Sequence, residues 1–194
     1  DYILDKDLAN RTISWIQRQH AVAPAKPFFV YLASGTAHAP NSAPADWMAK
    51  FRGKFSTGWD RLRRETFLRQ KKMGIIPAGT DLPPRGSEIP AWDSLSSDRK
   101  RVAERLMEAY AAQLAYFDAQ VGRIVAALRE SGQLDNTMIV FIQGDNGSSG
   151  EGGTEGHLAE QSWINSNPPD DIGYALQHID EIGGPKTYNI YPAG

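Results

Sequence analysis

Phe28-Phe29-Val30-Tyr31-Leu32-Ala33-Ser34-Gly35 and, far downstream, Thr137-Met138-Ile139-Val140-Phe141-Ile142-Gln143-Gly144 decide how this chain reads. Each is a short apolar run rich in aromatic and β-branched residues that ends near a glycine, the pattern of a buried strand. Between them lies the longest helix signal, opening at Ser97 with Asp98 beside it. In it Val102, Leu106, Tyr110, Leu114, Phe117, Val121, Ile124, Val125 and Leu128 recur every three or four residues. That spacing predicts a core-facing stripe, and Ser131-Gly132 is a good C-cap for it. A helix that returns the chain to a second strand points to a βαβ-type sheet and an α/β fold class.

Upstream of the first run, Leu8, Ile13, Trp15 and Ile16 predict an amphipathic helix over 5–20. Residues 35–96 read as an irregular excursion, with short helical pieces at 46–51 and 59–73 set among Pro- and Gly-rich connections. Residues 148–194 read as a loop-rich insertion or lid with one weak helical stretch at 172–182. Both ends read as cuts, because the chain enters directly into a helix signal and stops in the turn-like Tyr191-Pro192-Ala193-Gly194. The expectation is an internal piece of a longer protein.

Composition narrows the partners. The 21 basic and 23 acidic residues among 194 nearly cancel, so the chain has no electrostatic footprint for nucleic acid or an anionic membrane. A small molecule is the expected partner. With no cysteine, zinc-thiolate sites, disulfides and a cysteine nucleophile are excluded from this stretch. No window is long and apolar enough for a membrane helix.

Two constellations carry chemistry. Gln143-Gly144-Asp145-Asn146-Gly147 sits directly beyond the second strand signal, at the carboxyl edge where α/β sheets bind ligands. A carboxylate and an amide oxygen side by side suit a hard cation, although Asp-Asn-Gly is also a common turn. Gly35-Thr36-Ala37-His38-Ala39-Pro40 follows the first strand signal in the same way. If the strands are parallel, His38 and Asp145 face one edge, and His38 can donate to an anionic oxygen, although an isolated histidine there is also read as an ordinary loop residue. His157, Glu151 and Glu155 are placed to line an opening but read more simply as solvated loop residues, and His20 and His178 read as helix-surface residues. Asp118 borders the apolar stripe in a structural setting, and Trp47, Trp59 and Trp92 read as packing anchors.

Taken in order, the run into Gly35-Thr36-Ala37-His38-Ala39-Pro40, the segment Asp118-Ala119-Gln120-Val121-Gly122-Arg123-Ile124 and the run into Gly144-Asp145-Asn146-Gly147 resemble a type I sulfatase, an arylsulfatase of the alkaline phosphatase superfamily. The segments 54–70, 74–77, 89–92 and 183–189 further resemble a bacterial arylsulfatase subgroup with a long insertion. The resemblance implies a three-layer α/β sandwich around a mixed β-sheet, incomplete in this chain, with the whole of 1–194 part of the catalytic domain. It also implies that Asp145 and Asn146 ligate a divalent cation, usually calcium, and that His38 contacts the sulfate of a small-molecule sulfate ester. Ile190 departs from the pattern, which has His there.

Such enzymes attack sulfur with the hydrate of a formylglycine made from Cys or Ser in a Cys/Ser-x-Pro/Ala-x-Arg motif, nucleophilic catalysis assisted by a metal. No such motif occurs here, so the formylglycine and the other metal ligands are expected upstream. The resemblance also implies a sulfate-binding lysine downstream of the Asp-Asn pair, expected beyond residue 194 because Lys186 sits in an insertion segment. Three alternatives stay open: a phosphodiesterase or phosphonate monoester hydrolase of the same superfamily, a non-catalytic sulfatase-like binding protein, and a partner-binding surface between Trp47 and Trp92. The sequence carries no address, though the resemblance is compatible with a periplasmic or secreted protein. Oligomeric state is unreadable.

Overall fold

The computed structural model describes residues 2–142, 150–159, 161, 165 and 171–192. Five α-helices occur among them: α1 (Leu4–Val22), α2 (Ala45–Ala49), α3 (Gly58–Lys72), α4 (Ser97–Glu130) and α5 (Ile172–Gln177). Single 3-10 turns lie at Trp92–Ser94, Leu134–Asn136 and Ile179–Glu181. The 34 residues of α4 make a rod about 51 Å long, and α1, α2 and α5 all pack along it.

Local chemistry explains the limits of α4. The Ser96 hydroxyl accepts the Arg99 N–H at 3.3 Å as an N-cap. At the other end Gly132 takes φ +70°. The Gly132 N–H reaches Arg129 O at 3.0 Å and the Gln133 N–H reaches Leu128 O at 2.9 Å, which is a Schellman cap.

The buried face of α4 differs from the apolar stripe that the spacing predicts. Leu114 is exposed, whereas Ala109, Ala112, Glu108, Gln113 and Gln120 are buried together with Val102, Leu106, Tyr116 and Leu128. Alanines let neighbouring chain approach closely, and each buried polar residue has a partner. Arg123 bridges Gln120 Oε1 at 2.7 Å and Asn10 Oδ1 at 2.6 Å, fixing α1 to α4. Glu108 accepts from Arg105 at 3.1 Å and from the Gly53 N–H at 2.7 Å, and Arg105 also donates to Ile182 O at 3.1 Å. Trp47 packs edge-on against Tyr116 with centroids 5.5 Å apart and carries the Lys50 ammonium 3.3 Å over its ring.

The expected strands are not confirmed among the described residues. Neither 28–33 nor 137–142 is assigned as a strand, and pairing among the described residues is confined to two isolated bridges, His157 with Ile190 and Ala159 with Tyr188. In the first run Phe28, Val30 and Leu32 are partly covered while Phe29, Tyr31 and Ala33 are exposed, the two-residue alternation of a strand. Phe28 meets Trp15 of α1 at 6.3 Å. In the second run Met138 and Ile142 are 89% and 82% exposed, with Ile139, Val140 and Phe141 between them exposed as well. A strand is buried only when its backbone groups pair with neighbouring strands, and among the described residues these runs have no such neighbours. The mixed sheet is therefore not seen here. No described helix is long and apolar enough to cross a membrane.

Gly183 is required where it stands. Its φ is +85°, and a Cβ there would strike the Met48 side chain and lie 3.2 Å from Ala109 Cβ. Gly183→Ala is expected to destabilise the chain by about 1–3 kcal/mol, read as a lower midpoint of urea unfolding. The uncovered 138–142 run also has the composition of an aggregation-prone strand. Phe141→Lys is expected to reduce concentration-dependent association of the isolated chain in light scattering, and an unchanged profile would mean that the run is not the associating surface.

Candidate functional site

His38 sits in a turn held from two helices. Its N–H donates to Gly35 O at 2.7 Å, its Nδ1 lies 3.2 Å from Ala39 O, and the residue is exposed. On one side Asp5, in the first turn of α1 and buried, accepts the Ser34 hydroxyl at 2.5 Å and the Thr36 hydroxyl at 2.7 Å. The Ser34 Oγ in turn accepts the Thr36 N–H at 2.9 Å. On the other side Gln113 of α4 reaches the carbonyls of His38 and Pro40.

Behind the turn lies the 183–190 segment. Asn41 donates its backbone N–H to Asn189 O at 2.9 Å and receives the Asn189 side-chain amide on its own carbonyl at 3.1 Å. Asn189 Oδ1 accepts the Gly183 N–H at 3.0 Å and the Thr187 hydroxyl at 2.9 Å. The sequence reading missed Asp5, Asn41, Gln113 and Asn189. Their one signal is polar residues at positions that helix periodicity or a tight turn carries inward, where an unpaired group is costly.

The other expectations divide. Asp145 and Asn146 lie outside the described residues. Among the described residues no three His, Cys, Asp or Glu side chains gather as a cation site. His157 is a correction: it is buried and bridged to Ile190 in both directions, His157 N–H to Ile190 O at 3.0 Å and Ile190 N–H to His157 O at 2.9 Å. Ile190 is fully buried there. Glu155 forms an ion pair with Arg99. Lys186 pairs with Glu181 at 3.0 Å on the surface, and Asp118 is exposed.

A cavity of about 540 Å³ opens between α3 and α4, walled chiefly by Trp59, Phe67, Trp92, Met107, Tyr110 and Tyr191. Tyr110 lies three residues, nearly one helical turn, before Gln113. Asp60 fastens the outer wall, accepting Arg85 at 2.6 Å and the Trp92 N–H at 2.8 Å, while Trp59 and Trp92 meet edge to face at 4.9 Å. Beside Met107, the Glu104 carboxyl is pushed up by burial and by the charge of Glu108.

A protein-family model described as Sulfatase matches residues 1–170. The chain belongs to the sulfatase family. It is 36% identical over 165 residues to an uncharacterized sulfatase of Schizosaccharomyces pombe, covering 84% of this chain and 28% of that protein. It is 30% identical over 191 residues to an arylsulfatase of Klebsiella aerogenes, covering 98% and 40% respectively. An arylsulfatase of Clostridium perfringens is 25% identical over 135 residues, 70% of this chain and 24% of that one. The chain thus spans well under half the length of these relatives. Family membership implies an alkaline phosphatase-like α/β fold, of which the described residues present the helical part.

The wall of the cavity should respond to acid. Burial acts to raise the Asp60 carboxyl, but the Trp92 N–H and the Arg85 guanidinium outweigh it and hold it below its ordinary value. A depressed carboxyl contributes stability above its unfolded value and loses it as pH falls through the folded one. Tryptophan fluorescence is therefore expected to report loosening of the Trp59–Trp92 pair as pH drops below about 4, and Asp60→Asn is expected to abolish that acid-dependent step.

Proposed function

We propose that the complete gene product hydrolyses sulfate esters to an alcohol and sulfate, with this sulfatase chain supplying part of the substrate and metal site. The match to the sulfatase family over residues 1–170 carries the reading. The names of two relatives as arylsulfatases favour an aryl or similar small-molecule ester.

Within that reading His38 binds a sulfate oxygen. An exposed imidazole on a turn whose backbone is tied to two helices suits it to donate to an anion with little reorganisation. Asp145 and Asn146 contribute oxygen ligands to a divalent cation, calcium by preference. A bound cation would supply positive charge beside the sulfuryl oxygens. The nucleophile, a formylglycine in this reading, comes from outside these residues, since the chain has neither Cys nor the Ser motif.

The test is a matched assay of the complete protein on 4-nitrophenyl sulfate and 4-nitrophenyl phosphate. Sulfate turnover is expected to dominate and to fall on chelation. His38→Ala is expected to lower kcat by roughly 10²–10³-fold, the loss typical of removing one donor to a developing oxyanion. Preference for the phosphate ester would move the assignment to the phosphodiesterases of the superfamily, and activity unmoved by His38→Ala would remove His38 from the site. The isolated 194-residue chain is expected to show no turnover.

A further inference from the structure

We propose that Gln113 is a positioning residue for His38, acting through the backbone of the turn that carries it; the inference rests on the sulfate-binding role proposed for His38.

Gln113 lies midway along α4 and is 7% exposed, on the face that also buries Ala109, Ala112 and Tyr116. A primary amide in such a place is unfavourable unless its donors and acceptor are met. They are met by one short stretch of chain. Gln113 Oε1 accepts the Asn41 side-chain amide at 2.8 Å, while Gln113 Nε2 donates to Pro40 O at 3.1 Å and, at the longer distance of 3.4 Å, to His38 O.

The two carbonyls belong to the residues on either side of Ala39, so one side chain grips the backbone just after the imidazole at two points. Asn41 cannot easily swing away, because it is fully buried and tied at its N–H and its carbonyl to Asn189. Asp5 restrains the preceding arm through Ser34 and Thr36. The turn is thereby held before and after His38, and the imidazole remains exposed.

A packing role alone would need only volume, which Met provides at similar length. What Met lacks is the amide that sets the His38 and Pro40 carbonyls, and a displacement of about 1 Å at a reacting group can cost on the order of 10²-fold in rate.

A double-mutant cycle in the complete gene product tests this with 4-nitrophenyl sulfate. Gln113→Met is expected to lower kcat/KM by about 10-fold or more, within the range that misplacement produces. In a His38→Ala background the same substitution is expected to change kcat/KM by less than about twofold, since no imidazole remains to be placed. Gln113→Glu, which keeps the shape but loses the Nε2 donor, is expected to repeat the pattern. It carries the cycle should Gln113→Met fail to fold by its urea midpoint. Equal losses in both backgrounds would show a merely structural role and overturn the proposal, as would an unchanged kcat/KM in the single variant. A wild-type protein without sulfate-ester hydrolysis would overturn the proposed function and this inference together, whereas an active wild type with an uncoupled cycle would overturn this inference alone.

Discussion

Close approach of loops to the middle of α4 is the constraint on which the rest of the architecture depends. Ala109 and Ala112 are fully buried there and have only a methyl group, so the 38–41 backbone can come within hydrogen-bonding range of Gln113 and the 183–190 segment within range of residues 41–43. Gly183, with no side chain at all, fits against Ala109 and Met48 and passes its carbonyl to the Ala43 N–H at 3.3 Å. Larger residues at these positions would hold the 38–43 and 183–190 segments off the helix, and the amide network between them would lose its geometry. In this chain the core and the positioning of the candidate site are one construction.

The same logic accounts for the polar content of that core. Glu108, Gln113, Asn41 and Asn189 are all buried, yet each joins segments remote in sequence through hydrogen bonds, with the buried Asn41 Oδ1 left without a partner among the described residues. Buried amides are costly when unpaired, so a network of this kind penalises alternative registers of the turn more sharply than apolar contacts would. Apolar packing at Leu106, Ile182 and Ile190, all nearly or completely buried, supplies the non-directional part of the attraction.

Helices were the legible part of the sequence, because their cause is local. The spacing of Leu8, Ile13 and Ile16 places a helix at 5–20, and α1 runs from Leu4 to Val22; the Ser131-Gly132 stop falls where α4 ends. Burial was less legible. Periodicity counts large apolar residues, so it marked Leu114, which is exposed, and passed over Gln113, one residue away and buried. The runs at 28–33 and 137–142 have strand chemistry, but burial of a strand depends on partners elsewhere, and none pairs with them among the described residues. Of the candidate site, His38 is exposed in a turn beside the core, and its role rests on the sequence resemblance. Its supports were hidden because Asp5 looks like an ordinary first-turn acid and Asn41 like an ordinary loop residue. Asp145 and Asn146 rest on the sequence alone.

The bond from the Asn189 side chain to the Asn41 carbonyl joins residues 148 positions apart. On the ribosome, at 5–20 residues per second, the later partner follows the earlier by roughly 7–30 s. Over that interval the histidine turn lacks one of its fastenings. Closing so long a loop carries an entropic charge that grows with the logarithm of its length, so this fastening should be among the last to form and, in a nascent or truncated chain, the first to be missing. The order of assembly then runs from helix to turn, with the last fastening of the histidine turn closed only after the distal asparagine has been made.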